Sequence, residues 1–266
     1  MHAGTVAVPR YDQVWLVYHR RGTDTEVELG GHGATGEGTV DHGLVEELVR
    51  ALDELRTHPD LLGSDLHLAA DHPADSLEAL PEAVADAVGL PHRRDLLQLR
   101  RVLPVPVDHP TRATAPAITT RPFRRGHDDD AWIRVNNQAF AAHPDQGHET
   151  PDTLAVRTTE AWFDADGFLV ADDTTRPGEL SGFCWTKVHD ATSDDPALGE
   201  IYVIGVDPSH RGEGLGPSFV LAGLDHLAGR GLTTADLYVD ADNEPARRLY
   251  DRLGFVTHHR RRVYTS

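Results

Sequence analysis

The residues best suited to chemistry lie in segment 203–216, VIGVDPSHRGEGLG, where an apolar run passes through Arg211, Gly212, Gly214 and Gly216 into a second apolar run. Asp207 and Pro208 stop the first run as a strand, because proline has no backbone N–H for the ladder. The glycines let successive N–H groups turn towards one point without Cβ clashes. A helix starting there adds its partial positive charge, which makes the segment a cradle for a diphosphate. Arg211 adds a charge-assisted bond to a phosphate. No Gly-Lys-Ser/Thr follows, so this is not a Walker A loop. The glycine spacing also differs from the dinucleotide fingerprint. Downstream, Asn243, Ala246, Tyr250, Gly254 and Phe255 stand in the pattern Asn-x-x-Ala-x-x-x-Tyr-x-x-x-Gly-Phe, with Asn243 placed to cap a helix.

The Arg-x-x-Gly-x-Gly loop between a Val-Asp-Pro strand end and a helix resembles the acetyl-CoA loop of the GNAT acetyltransferases. The second pattern resembles their last helix. Segments 139–147 (AFAAHPDQG), 182–189 (GFCWTKVH), 199–208 (GEIYVIGVDP) and 237–243 (LYVDADN) are similar to the C-terminal half of the mycothiol synthase family. That family carries two GNAT domains in tandem and acetylates the cysteinyl amine of Cys-GlcN-Ins from acetyl-CoA. The likeness is dense from about Arg121 onwards and sparse before Leu66. A non-catalytic acyl-CoA sensor and a GNAT enzyme for another small amine are the alternatives.

The resemblance implies a role for each matching residue. Amide formation needs a neutral amine, so Glu200 is expected to remove its proton, directly or through water. Tyr250 is expected to protonate the departing CoA thiolate. Asp145, Lys187, Glu200 and Tyr238 are expected to contact the acceptor, with Asp145 where the family more often has glutamate. Backbone N–H groups at a strand bulge around Ile204, Gly205 and Val206 would hold the thioester carbonyl, as in an oxyanion hole. Arg211, Gly212, Glu213, Gly214, Leu215, Gly216 and Pro217 would hold the CoA diphosphate. Asn243, Glu244, Pro245, Ala246, Arg247 and Arg248 complete the expected cofactor contacts. Acetyl-CoA enters as co-substrate, and no metal is expected. Cys184 reads as a buried strand residue and not a nucleophile.

These residues need a scaffold of mixed α/β order. The periodicity predicts a strand over 118–123, helices over 128–142 and from Thr150 to Trp162, and strands over 167–172, 180–189 and 200–206. A helix over 217–230, a strand over 235–239, a helix over 244–253 and a strand over 255–264 follow. Prolines at 104, 106, 110 and 116 mark 104–117 as an extended linker.

Before it, strands are expected over 14–19, 25–29, 66–70 and 95–103, with helices over 44–58 and 77–88. Both halves end in the same motif: a helix, a glycine (Gly89, Gly254), a hydrophobic residue and a basic strand. The fold expected is therefore α/β (α+β), with tandem GNAT domains and a mixed sheet flanked by helices. Residues 1–103 are expected to form a degenerate first domain without the opening strand and helices, and 118–266 the catalytic domain. The first domain's counterpart of the CoA loop, ELGGHGATGEG over 28–38, has no arginine ahead of its glycines.

Composition limits the partners. The 266 residues carry a formal net charge of −18, which disfavours non-specific binding to nucleic acid. No apolar run approaches the roughly 20 residues of a membrane helix. The N-terminus shows no secretory signal, and the single cysteine fits a reducing cytoplasm. A cytoplasmic monomer is expected. The 17 histidines show no zinc spacing and read as surface residues. The one lysine, Lys187, stands against 24 arginines.

Overall fold

The computed structural model describes residues 2–7, 14–21, 24–31, 42–57, 65–73, 79–143, 146–192 and 195–265. These form two compact units. The first comprises Met1–Gln98, Val239–Glu244 and Thr257–Ser266; the second comprises Leu99–Tyr238 and Pro245–Val256. The sequence division at 104–117 is a single cut, whereas the first unit also takes residues from the far end of the chain.

In the first unit, β1 (His2–Ala7), β2 (Val14–Arg21) and β3 (Asp24–Gly31) run antiparallel in turn, and β3 pairs parallel with β4 (Asp65–Pro73). The C-terminal strand β11 (Val256–Thr265) then lies antiparallel to β4, followed in order by β5 (His92–Val102). β1 was not expected from the sequence: HAGTVA opens on small and polar residues and lacks a clear alternation. Helix α1 (His42–Arg56) buries Leu44, Leu48, Leu52 and Leu55 along one stripe. They pack with Val27, Leu68, Val84, Leu90 and Tyr264.

Helix α2 (Ala79–Ala87) ends at Gly89, whose φ is +71°, and Leu90 N donates to Ala85 O at 2.9 Å. Helix α7 (Glu244–Arg252) ends the same way: Gly254 has φ +77°, and Phe255 N donates to Tyr250 O at 3.1 Å. The repeated glycine motif is thus the same helix stop used twice.

The second unit orders its strands as β10 (Thr234–Asp240), β9 (Leu198–Val206), β8 (Leu180–His189), β7 (Phe168–Asp172) and β6 (Arg121–Pro122). β6 to β9 pair antiparallel and β9 to β10 parallel. The expected strand over 118–123 shortens to two residues, since Pro122 cannot donate to a ladder. The expected linker contains a short helix, α3 (Pro110–Thr114): Pro110 sits in its first turn, where no N–H is required. Helix α4 (Asp129–Ala139) and helix α5 (Pro151–Arg157) end earlier than expected. The Thr150 side chain caps α5 by accepting from Thr153 N at 3.2 Å.

Alternation divides β8 and β9 between two faces. On one, Trp132 and Val135 of α4 meet Phe168, Phe183, Trp185 and Val203. Phe123, Phe168 and Trp185 stack there as a column, each neighbouring pair of rings 4.2 Å apart. On the other lies α6 (Leu215–Gly229), so close that a Cβ on Gly223 would sit 2.5 Å from Cys184 Sγ and 2.8 Å from Ile201 Cδ1. Among the described residues no helix is long and apolar enough to cross a membrane.

Candidate active site

Glu200 lies near the start of β9, is 8% exposed, and stands directly across the ladder from Lys187 on β8. Its Oε2 is 2.7 Å from Nε2 of His189, two residues further along β8 and on the same face as Lys187. Lys187 points at rings instead: its Nζ is 4.8 Å from the centre of Trp162 and 5.6 Å from that of Tyr202. The guanidinium of Arg157 approaches Tyr202 at 5.9 Å and also pairs with Glu149 at 2.6 Å.

A β-bulge builds this aromatic platform. Trp185 pairs with Val203 but Thr186 pairs with Ile201, so Tyr202 is the extra residue on β9. The bulge was expected around Ile204–Val206, yet those three pair regularly with Cys184, Phe183 and Gly182. Strict alternation would turn Tyr202 away from Val203. The bulge lets its ring join Trp162 at 5.0 Å and Trp185 at 5.5 Å on the same face.

β10 pairs with β9 through Ala235↔Gly199 and Asp236↔Glu200. Among the described residues no pair between the two strands follows, although β9 runs on to Val206. The strands part immediately after Glu200. The stretch with Ile204, Gly205 and Val206 is then free of a β10 ladder.

β9 leads into a 3-10 turn, Pro208–His210, and then into the glycine loop. Gly212 has φ +90° and Gly214 φ +74°, values that disfavour any other residue. Gly214 is the N-cap of α6 and offers no capping side chain, which leaves the helix's first N–H groups to other acceptors. α6 opens at Leu215, two residues before the expected Pro217. Gly216 and Pro217 fit within its first turn, where a missing donor costs nothing. Arg211, Gly212, Glu213 and Gly214 are exposed.

Two buried carboxylates anchor the loop. Asp207 Oδ1 accepts from Ser209 N at 2.8 Å and Ser209 Oγ at 2.7 Å, while Oδ2 accepts from Arg134 at 2.9 Å and Arg176 at 3.1 Å. Asp173, just after β7, accepts from Thr175, Arg176 and His210. Burial opposes ionisation of both groups. The bonds outweigh it: those from Arg134 and Ser209 hold Asp207, and those from Thr175 and His210 hold Asp173, well below the usual carboxylate range. His210 is raised in turn by Asp173 and Glu213.

Tyr250, on α7 (Glu244–Arg252), is 6% exposed and meets Phe255 edge-on at 5.7 Å. Burial, then the nearby Cys184, pushes its hydroxyl above the ordinary tyrosine range, so it stays a phenol able to donate. Burial pushes the Cys184 thiol up to about 12, which removes it as a nucleophile. A Cβ on Gly216 would lie 3.4 Å from Leu249, so α7 borders the loop through the turn holding Tyr250. Asn243 immediately precedes α7, and Pro245, Ala246, Arg247 and Arg248 form its first turns. Tyr238 on β10 is 49% exposed. Asp145 lies outside the described residues, as do most of the loop residues over 28–38.

Residues 132–255 match the Acetyltransferase (GNAT) family. Mycothiol acetyltransferase of Acidimicrobium ferrooxidans is 43% identical over 243 residues, covering 91% of this chain and 73% of the relative. Mycothiol acetyltransferase of Kytococcus sedentarius is 44% identical, covering 83% and 74%. The chain belongs to the mycothiol acetyltransferase family. Among solved structures, a GCN5-related N-acetyltransferase from Sphaerobacter thermophilus aligns at a TM-score of 0.65 and 22% identity, over 96% of this chain and 76% of that one. A tandem GNAT protein of the clavulanic acid biosynthesis pathway aligns at 0.59 and 19%, over 96% and 78%. Both show the fold.

Membership of the mycothiol acetyltransferase family makes the chain an acyltransferase. It also sharpens what the sequence missed. His189 and His210, read as surface residues, each bond a carboxylate at the site or its loop. The signal available for His189 was its place two residues after Lys187 on an alternating strand.

Proposed function

We propose that this chain moves the acetyl group of acetyl-CoA to the cysteinyl amine of Cys-GlcN-Ins, giving mycothiol. The reading rests on one observation above all: Glu200 is a buried carboxylate at the point where β9 and β10 part, facing the sole lysine across the ladder. In this reading Glu200 takes a proton from the acceptor ammonium, and the neutral amine attacks the thioester carbonyl. The N–C bond forms, the C–S bond breaks, and Tyr250 gives its proton to the leaving thiolate; the second proton, shed by the nitrogen as it becomes an amide, returns to Tyr250 through solvent. The first turn of α6, Gly212, Gly214, Gly216 and Arg211 hold the diphosphate. Backbone groups around Ile204–Val206 stabilise the carbonyl oxygen. Lys187, Tyr238 and Asp145 contact the acceptor.

Residues 118–266 then form the catalytic domain and 1–103 a degenerate GNAT-like domain, in a cytoplasmic monomer that uses acetyl-CoA as co-substrate and no metal. The test is a mass-spectrometric assay with acetyl-CoA, Cys-GlcN-Ins and a panel of other amines. Acetylation of Cys-GlcN-Ins well above the panel supports the reading. Preference for another amine transfers the site to that substrate, and acetyl-CoA binding without product turns it into a sensor.

A further inference from the structure

Glu200 has two nitrogen-bearing neighbours on β8, Lys187 and His189, and the structure treats them differently. Lys187 faces it across the ladder, but its ammonium rests on Trp162 and Tyr202. His189 alone of the two reaches the carboxylate, at 2.7 Å through Nε2. His189 is 39% exposed at its side chain and Glu200 only 11%, so the pair runs from solvent into the site. We propose that His189 is the positioning residue for the catalytic base: its Nε2–H ties Oε2 of Glu200, which turns Oε1 towards the acceptor amine. The inference rests on the reading of Glu200 as base.

Two physical consequences follow. One fixed oxygen removes a free rotation, which matters because a small misplacement of a reacting group costs rate steeply. The lysine, withheld on its rings, keeps its charge near the acceptor without quenching the base. Among the described residues, other charged groups on this face include Arg157 with Glu149, and Asp236 across the β9–β10 pair. Arg100, itself tied to Asp195, acts electrostatically on Asp236.

The experiment compares His189→Ala, His189→Gln and Glu200→Gln by kcat, by KM for acetyl-CoA, and by kcat/KM for the acceptor. Glutamine places an amide N–H where Nε2 stands. His189→Ala is expected to lower kcat roughly ten-fold or more and leave the acetyl-CoA KM unchanged. His189→Gln is expected to recover most of the rate. A loss confined to acetyl-CoA KM, or a glutamine variant as slow as the alanine one, would overturn the proposal. If Glu200→Gln is fully active, the base reading itself fails; if it is inactive while His189→Ala is unaffected, only the role of His189 fails. Thermal unfolding of each variant separates a loss of fold from a loss of rate.

Discussion

His210 Nε2 lies 3.0 Å from Asp173 Oδ2, which ties the turn ahead of the glycine loop to the residue that follows β7. Glu213 takes the other ring nitrogen at 2.9 Å. The glycine loop is therefore held by a charged pair whose strength depends on pH.

Asp173, then Glu213, raise His210 above the ordinary histidine value. A raised group contributes stability below its unfolded value and loses it as pH rises through the folded one. The acetyl-CoA affinity and the melting temperature should therefore both fall as pH rises above about 6.5. His210→Gln should remove this step, with a loss on the order of 1–2 kcal/mol at pH 6. Thermal shift across pH, with and without acetyl-CoA, measures it. An identical slope in the variant would place the dependence elsewhere.

Glu200→Gln should reduce turnover at least roughly 100-fold while acetyl-CoA affinity stays nearly unchanged, because the loop lies beyond the far end of β9. Steady-state kinetics and calorimetry separate the two. Full activity removes Glu200 as base.

Tyr250→Phe should slow the reaction by roughly 10- to 100-fold. The phenol is held protonated by burial, so the wild type should keep its rate well into alkaline solution, and any loss at high pH assigned to this hydroxyl should vanish in the variant. A pH–rate profile shared by both proteins would sink the acid role.

Gly214→Trp should abolish acetyl-CoA binding in the second unit. Its φ of +74° strains any side chain by about 1–2 kcal/mol, and the ring would cover the first turn of α6. Normal affinity by calorimetry would refute the loop assignment.

Arg121→Ala should destabilise the second unit by about 3–5 kcal/mol. Arg121 grips buried Asp128 with two bonds, at 2.7 and 2.9 Å. Burial opposes the ionised Asp128, and the Arg121 pair outweighs it and holds the carboxyl low. Removing the arginine leaves a buried charge without its main partner. Denaturant unfolding measures the loss, and a midpoint unchanged within error would mean that Arg124 and His127 suffice.

The sequence by itself determined the elements that depend on neighbours in the chain. Leu180–His189 appears with the expected bounds because alternation and β-branched or aromatic residues are local signals. The glycine loop was legible for the same reason: its conformation needs residues that tolerate positive φ, and only glycines stand there. The helix stops at Gly89 and Gly254 were equally local. Tertiary structure decided what depends on residues brought together from afar. It joined His210 to Asp173 across 37 positions, placed the bulge at Tyr202 to complete a ring cluster with Trp162, and sent Lys187 to those rings and His189 to Glu200. A strand's alternation says which side chains share a face. Which of two nitrogen-bearing side chains on that face takes the carboxylate depends on where aromatic surface from another element lies, and no local pattern in the chain encodes that.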